Sequence, residues 1–290
     1  MSREPNAVSA HGKVILAGEH AVVRGGEALV FPLRSRSLRL SWNSSVEKGF
    51  SISPGPLEKP FLEALELAMR VSEHKLPHQG YRFSLESDIP IQAGLGSSAA
   101  LSVAVARFLI EEGALLKNPF QLALEVENMF HGKSSGIDVA CILGSSPISY
   151  SKSSGAENLL LSWKPSLFLI DTGLRSATKD CVKKVELAKR SDLDERMKES
   201  VKRAKTALHS TGPSRFTELG DALELAASCF EEWGLGPEPE LRAKLQDAGA
   251  VAVKPTGSGG GGFLLGLWPE PPSPSARKKF GLIPIWEDFS

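Results

Sequence analysis

The stretch from Ile89 to Ala106, IPIQAGLGSSAALSVAVA, constrains this chain more than any other: an extended run gives way within it to a Gly/Ser loop and then to an Ala/Val/Leu helix. Gly94 and Gly96 permit a tight backbone path with unhindered N–H groups. Ser97 and Ser98 stand where a helix N-terminus takes capping oxygens. Exposed N–H groups and the positive end of the helix dipole converge on one spot, which suits a phosphate, and the hydroxyls are available to a metal ion. An ordinary capped helix after a turn has the same residues, so the loop alone leaves both readings open.

The surrounding 290 residues allow one large or two ordinary domains with proper cores. With 41% apolar and 23% charged residues the composition is that of a globular protein, and Lys plus Arg balances Asp plus Glu at 34 each. That balance argues against nucleic-acid or membrane binding and for a small-molecule partner. Cys141, Cys181 and Cys229 lack C-x-x-C spacing, which suits a reducing compartment and implies no metal cluster. The opening MSREPNAVSAHGK has no apolar signal core, and the cytoplasm is the expected location.

Ala7 to Ala17 and Ala28 to Leu33 read as strands around GEHAVV, which places Glu19 and His20 just after the first. Lys13 taken alone is better explained as a surface lysine snorkelling off a strand edge, and only its partners could change that. Further short strands are expected at 38–42, 50–53 and 81–86, with a core-facing helix over 60–73. The helix after the glycine loop is expected over 97–116, and Asn118-Pro119 signals the next. Glu127 lies at that helix's edge, and Asp138 precedes the apolar VACIL, where it would also serve as an N-cap. A composition shift puts a domain boundary near residue 155. Beyond it the sequence predicts a buried strand at 167–171, helices over 178–189, 193–209, 216–233 and 240–247, a strand at 250–253, and one strand in the tail. Gly257 to Gly262 matches G-x-G-x-x-G, but Phe263-Leu264-Leu265 follows as a strand near the chain end, leaving no room for a dinucleotide-binding unit.

The order SAHGKVILAGEHAVV, IPIQAGLGSSAA, ENMFHGKSSGIDVA, KPTGSGGGGF resembles the GHMP kinases (galactokinase, homoserine kinase, mevalonate kinase and phosphomevalonate kinase) from Ala10 to about Leu267. The form GEHAVV and the segment His131 to Asp138, with Glu127 eleven residues before Asp138, are most similar to the mevalonate kinases within it. His11 and Ser134 stand where proline is usual, and Pro255 and Ser258 alter the last glycine motif.

The resemblance implies an α+β kinase of two domains with the active site in the cleft between them: residues 1–155, ATP-binding and ribosomal protein S5 domain 2-like, and 156–290, a ferredoxin-like α/β sandwich. It implies ATP as co-substrate, with Gly94, Leu95, Gly96, Ser97, Ser98 and Ala99 wrapping the phosphates and Gly257, Gly259 and Gly260 beside them. Mg2+ would be held by Ser98 and Glu127. Lys13 and Asp138 would meet at the acceptor hydroxyl, with Glu19, His20 and Thr178 on the acceptor side. The implied acceptor is mevalonate, with no nucleic-acid or membrane partner and a possible homodimer, since many relatives dimerise. The rivals are a phosphomevalonate or homoserine kinase and a catalytically dead ligand sensor. The sensor reading predicts loss of Lys13, Ser98, Glu127 or Asp138, and all four are present.

Overall fold

The computed structural model describes residues 6–73, 75–113 and 118–286. The chain opens with β1 (Asn6–Ala17), a short 3-10 helix (Ala21–Arg24), β2 (Glu27–Ser45) and β3 (Gly49–Ile52). Next come α1 (Glu58–Ser72), β4 (Gly80–Ser87), α2 (Ser97–Glu111), α3 (Pro119–His131) and α4 (Ile137–Gly144). β5 (Ile148–Ser151), β6 (Gly155–Asn158) and β7 (Ser166–Asp171) lead to α5 (Thr178–Ala188), α6 (Ser191–His209), α7 (Arg215–Glu232) and α8 (Pro239–Asp247). β8 (Ala252–Thr256), β9 (Phe263–Trp268), α9 (Pro274–Phe280) and β10 (Ile283–Pro284) complete the described elements.

The chain divides into two compact units that interleave in sequence: one of Met1–Gly12, Arg36–Pro90 and Gly96–Ser145, the other of Lys13–Ser35, Ile91–Leu95 and Ser146–Ser290. β1 and β2 contribute residues to both. In the first unit β3 runs parallel to β4 through the α1 crossover, and β4 pairs antiparallel with β2 from Leu38↔Ser87 to Ser45↔Gly80. Phe61, Ala64, Leu65 and Ala68 are the buried stripe of α1. Trp42, Phe61, Tyr81, Phe83 and Phe108 stack edge-on beneath the helices. The polar tips of two of them end on Glu112: Trp42 Nε1 donates at 2.6 Å and the Tyr81 hydroxyl at 2.5 Å. That satisfies donors which would otherwise be buried at a cost.

In the second unit a four-stranded sheet has the order β10-β7-β9-β8, with its three longer strands antiparallel. Phe168, Ile170, Val253, Leu264 and Trp268 build a core with Leu245 of α8. α6 packs on α7, and α7 on β8. The N-terminal half of β2 pairs with β5, and β5 with β6.

Most predicted elements stand where the periodicity puts them, with two corrections. Residues 28–33 and 38–42 belong to one strand, β2, because the polar Arg34–Ser37 stretch stays extended between ladders to β5 on one side and β4 on the other. The tail carries a helix, α9, before its short strand; Ser273 caps it by accepting from Ala276 N at 3.2 Å, and Pro274 is its first residue. α2 closes at Glu111, and the end of its expected extent, 114–116, lies outside the described residues.

Candidate active site

The glycine/serine loop departs from expectation in one respect that matters. Gly96, at φ +81°, is the N-cap of α2, with no side-chain cap, so Ser97 and Ser98 are its first helical residues. Glycine takes that left-handed conformation without the steric cost of a Cβ. The Ser98 hydroxyl is thereby released from capping. It donates to Glu127 Oε1 on α3 at 2.9 Å, and Ser102, one turn on, donates to Glu127 Oε2 at 3.2 Å. With its proton on the carboxylate side, the Ser98 oxygen accepts from His131 Nε2, 2.9 Å away. Glu127, expected at a helix edge, is only 2% exposed.

A buried carboxylate and a hydroxyl at the head of a helix are hard oxygen donors, two in number, as suits Mg2+, which keeps its remaining positions for water and phosphate. Among the described residues no group of three or more His, Cys, Asp or Glu is placed to hold a metal ion. Asp138 is the second residue of α4, behind an N-cap at Gly136 with φ +86°, so it is not the cap itself.

In the second unit β1 carries Lys13, 2% exposed, whose backbone N–H donates to Leu95 O at 3.0 Å. The loop after β8 folds over the first glycine loop. A Cβ on Gly94 would lie 2.8 Å from Thr256 O, and one on Gly262 2.6 Å from Ala93 O, so backbone meets backbone where only glycine fits. The two antiparallel strands flanking Gly257–Gly262 confirm that this is no dinucleotide-binding turn. Gly259 O is held by the Ser176 hydroxyl at 2.9 Å and by the Cys181 thiol at 3.2 Å. Thr178, the first residue of α5, lines a small pocket with Gln92, Gly94, Thr256 and Ser258.

Glu19 and His20 follow β1 and are both buried. The Glu19 carboxylate pairs with Lys254 Nζ, and burial pushes each group toward its neutral form while the pair opposes this. His20 packs edge-on against Phe230 and Trp233 and donates from Nε2 to Ser258 O at 3.0 Å. Burial lowers its pKa to about 4, so the ring is neutral at pH 7. Glu19, His20, Thr178 and the second glycine loop thus belong to one unit with Lys13, while Ser98, Glu127 and Asp138 belong to the other.

The GHMP kinases N terminal domain matches residues 61–145, the segment from α1 through α4. A mevalonate kinase from Pyrococcus horikoshii is 32% identical to this chain over 90% of it and 88% of its own length. The chain belongs to the mevalonate kinase family of GHMP kinases. The crystal structure of the Methanococcus jannaschii mevalonate kinase has the same fold, with a TM-score of 0.81 over 98% of each chain at 18% identity. Streptococcus pneumoniae phosphomevalonate kinase reaches 0.77 over 98% of this chain and 99% of its own, also at 18%. Fold alone therefore does not separate acceptors within the superfamily.

Membership of the mevalonate kinase family accounts for the order of glycine motifs but does not by itself give each residue in them a role. Lys254 and Thr256, inside KPTGSGGGGF, and His131, at the head of its segment, were given no role from the sequence, and Ser102 was not named. Lys254 had a usable signal, a lysine inside the strand run AVAVKPT whose every residue from Ala252 to Thr256 is buried.

Proposed function

We propose that this protein transfers the γ-phosphoryl group of ATP to the 5-hydroxyl of mevalonate, giving 5-phosphomevalonate and ADP. The observation that carries the reading is the Ser98 hydroxyl against the buried Glu127 carboxylate at the head of the glycine-loop helix. A phosphate cradle with adjacent hard oxygen ligands is what phosphoryl transfer requires of a protein.

In this reading the backbone N–H groups of 94–99 orient the phosphates, with Gly257, Gly259 and Gly260 supporting them. Ser98 and Glu127 hold Mg2+, which when bound supplies positive charge to the phosphate oxygens. Lys13 supplies a second cation where charge collects. Asp138 orients the acceptor hydroxyl and takes its proton late, as the new O–P bond forms, because a carboxylate is too weak a base to deprotonate an alcohol early. Glu19, His20 and Thr178 contact the acceptor. Residues 1–155 act as the ATP-binding domain and 156–290 as the second domain, in the cytoplasm. Among the described residues no helix is long and apolar enough to cross a membrane.

A phosphorylated acceptor would need free cations nearby. Arg24 is engaged by Asp194, Nε to Oδ2 at 2.7 Å, and Arg175 by Asp171 at 2.7 and 2.8 Å. Two of the basic residues closest in sequence to the acceptor motifs are thus already neutralised, which favours mevalonate over phosphomevalonate. The test is ADP release dependent on Mg2+ and ATP, with mevalonate, phosphomevalonate and homoserine offered separately and each product weighed. Turnover confined to mevalonate is expected; turnover on another acceptor would overturn the acceptor assignment, and none on any would favour a sensor.

A further inference from the structure

Lys254 is fully buried, and the reaction as described gives it nothing to do. Its ammonium spends all its donors inside the protein: on Glu19 Oε1, on Pro255 O at 2.5 Å and on Ile15 O at 3.5 Å, above the face of Phe230 at 5.4 Å. Two residues along β8, on the same face of the strand, Thr256 makes a reciprocal pair with Ile15. Its hydroxyl accepts from Ile15 N and donates to Ile15 O, both at 3.0 Å. The strand that leads into the second glycine loop is therefore fastened to β1 midway between Lys13 and Glu19. His20, bonded to Ser258 O, fastens the same segment to the loop itself.

The other carboxylate oxygen, Glu19 Oε2, is buried with no hydrogen-bond partner. An unsatisfied buried carboxylate oxygen is costly, and an ion pair in this setting is weak evidence for stability, since well-packed apolar residues would serve as well or better. A pair that spends one oxygen on a fixed ammonium and leaves the other bare has the form of a site awaiting a donor.

We propose that Lys254 is a positioning residue, holding the Glu19 carboxylate by Oε1 so that Oε2 accepts a hydroxyl of the acceptor alcohol. This rests on the acceptor-side reading of Glu19 given above. Lys254 acts through Glu19 alone: it sets the rotation and the charge of that carboxylate.

The experiment is a double-mutant cycle in the full-length enzyme with Lys254→Met, Glu19→Gln and the double variant. Thermal unfolding, kcat, KM for acceptor and for ATP, and calorimetric binding of mevalonate without ATP are read for each. Lys254→Met is expected to weaken mevalonate binding and raise its KM roughly 30-fold or more, the usual scale for breaking a buried charge pair, with KM for ATP unchanged within about twofold. The double variant should bind mevalonate no worse than Glu19→Gln alone, because a residue acting through another adds nothing once that other is gone. Losses that multiply across the two sites, an equal rise in both KM values, or a normal mevalonate KM in Lys254→Met would overturn the proposal. If Lys254→Met does not fold, Lys254→Arg, which keeps the charge but not the position of the ammonium, decides the question: a raised KM for mevalonate with KM for ATP unchanged is expected, and an unchanged mevalonate KM overturns the proposal. Failure of the broader reading would show in the wild type as turnover on a different alcohol, and the cycle is then read on that alcohol; failure of this proposal shows only in the variants.

Discussion

The Ser98 hydroxyl and the Glu127 carboxylate, on neighbouring helices α2 and α3, are 2.9 Å apart. That bond exists because Gly96 takes over the cap position and frees the serine. In Glu127→Gln one oxygen is replaced by an amide nitrogen that cannot ligate Mg2+. The Mg2+ concentration for half-maximal rate should rise roughly tenfold or more, a scale typical of disturbed metal shells. Binding of Mn2+ read by electron paramagnetic resonance should weaken in parallel. An unchanged metal titration would remove Glu127 from the ligand set.

Asp138→Asn keeps the size and packing of the side chain at the start of α4 and removes its capacity to take a proton. The expected loss in kcat is about 10²- to 10⁴-fold, as for other general bases, with little change in KM for ATP. Steady-state kinetics with ATP and mevalonate varied separately check this, and near-normal turnover would refute the assignment.

Gly262→Ala puts a Cβ 2.6 Å from Ala93 O at φ +74°. The backbone of one glycine loop must then move away from the other. Gly281→Ala is the control, because that residue also has positive φ, +59°, but nothing lies within 4 Å of its would-be Cβ. The control should lose about 1–2 kcal/mol from the left-handed conformation alone. Gly262→Ala should lose more and, if the loop it displaces holds ATP as proposed, also lower kcat. Thermal unfolding of the two variants, with kcat, separates close approach from strain.

His20 contributes a pH dependence whose sign follows from its burial. Its pKa falls from 6.5 to about 4 on folding, so the unfolded chain binds the extra proton. Stability from keeping it neutral is fully present above pH 6.5 and drains away as pH falls toward 4. The full effect is of order 3 kcal/mol. Denaturant unfolding of the wild type and of His20→Gln between pH 7 and pH 4.5 should show the variant losing less stability on acidification. Parallel curves would mean that His20 is not the group responsible.

Local order was well written into the sequence. Asn118 accepts from Gln121 N at 3.2 Å with Pro119 next to it, as the dipeptide promised, and α5, α6 and α7 begin and end within a few residues of their apolar periodicity. β2 was less legible, since Arg34–Ser37 has the composition of a turn yet stays extended within one strand that pairs with β1, β4 and β5. Ser97 and Ser98 were misassigned as caps for a similar reason. A serine after glycine at a helix start has two uses for its hydroxyl, and the choice between them lies with a carboxylate 29 residues later.

By itself the sequence determined where glycine must stand, which segments are helix or strand, and the ordered motifs that place the chain among the mevalonate kinases. Each of these depends on a residue's own conformational range or on a period of a few residues. Tertiary structure alone decided that Glu127 is buried against two serines, that burial against two aromatic rings keeps His20 neutral in spite of its bond to Ser258 O, and that Lys254 grips Glu19. Lys254 and Glu19 are 235 residues apart. No local propensity couples two such positions; only packing, which desolvates both charges and makes each the other's required partner, brings them together.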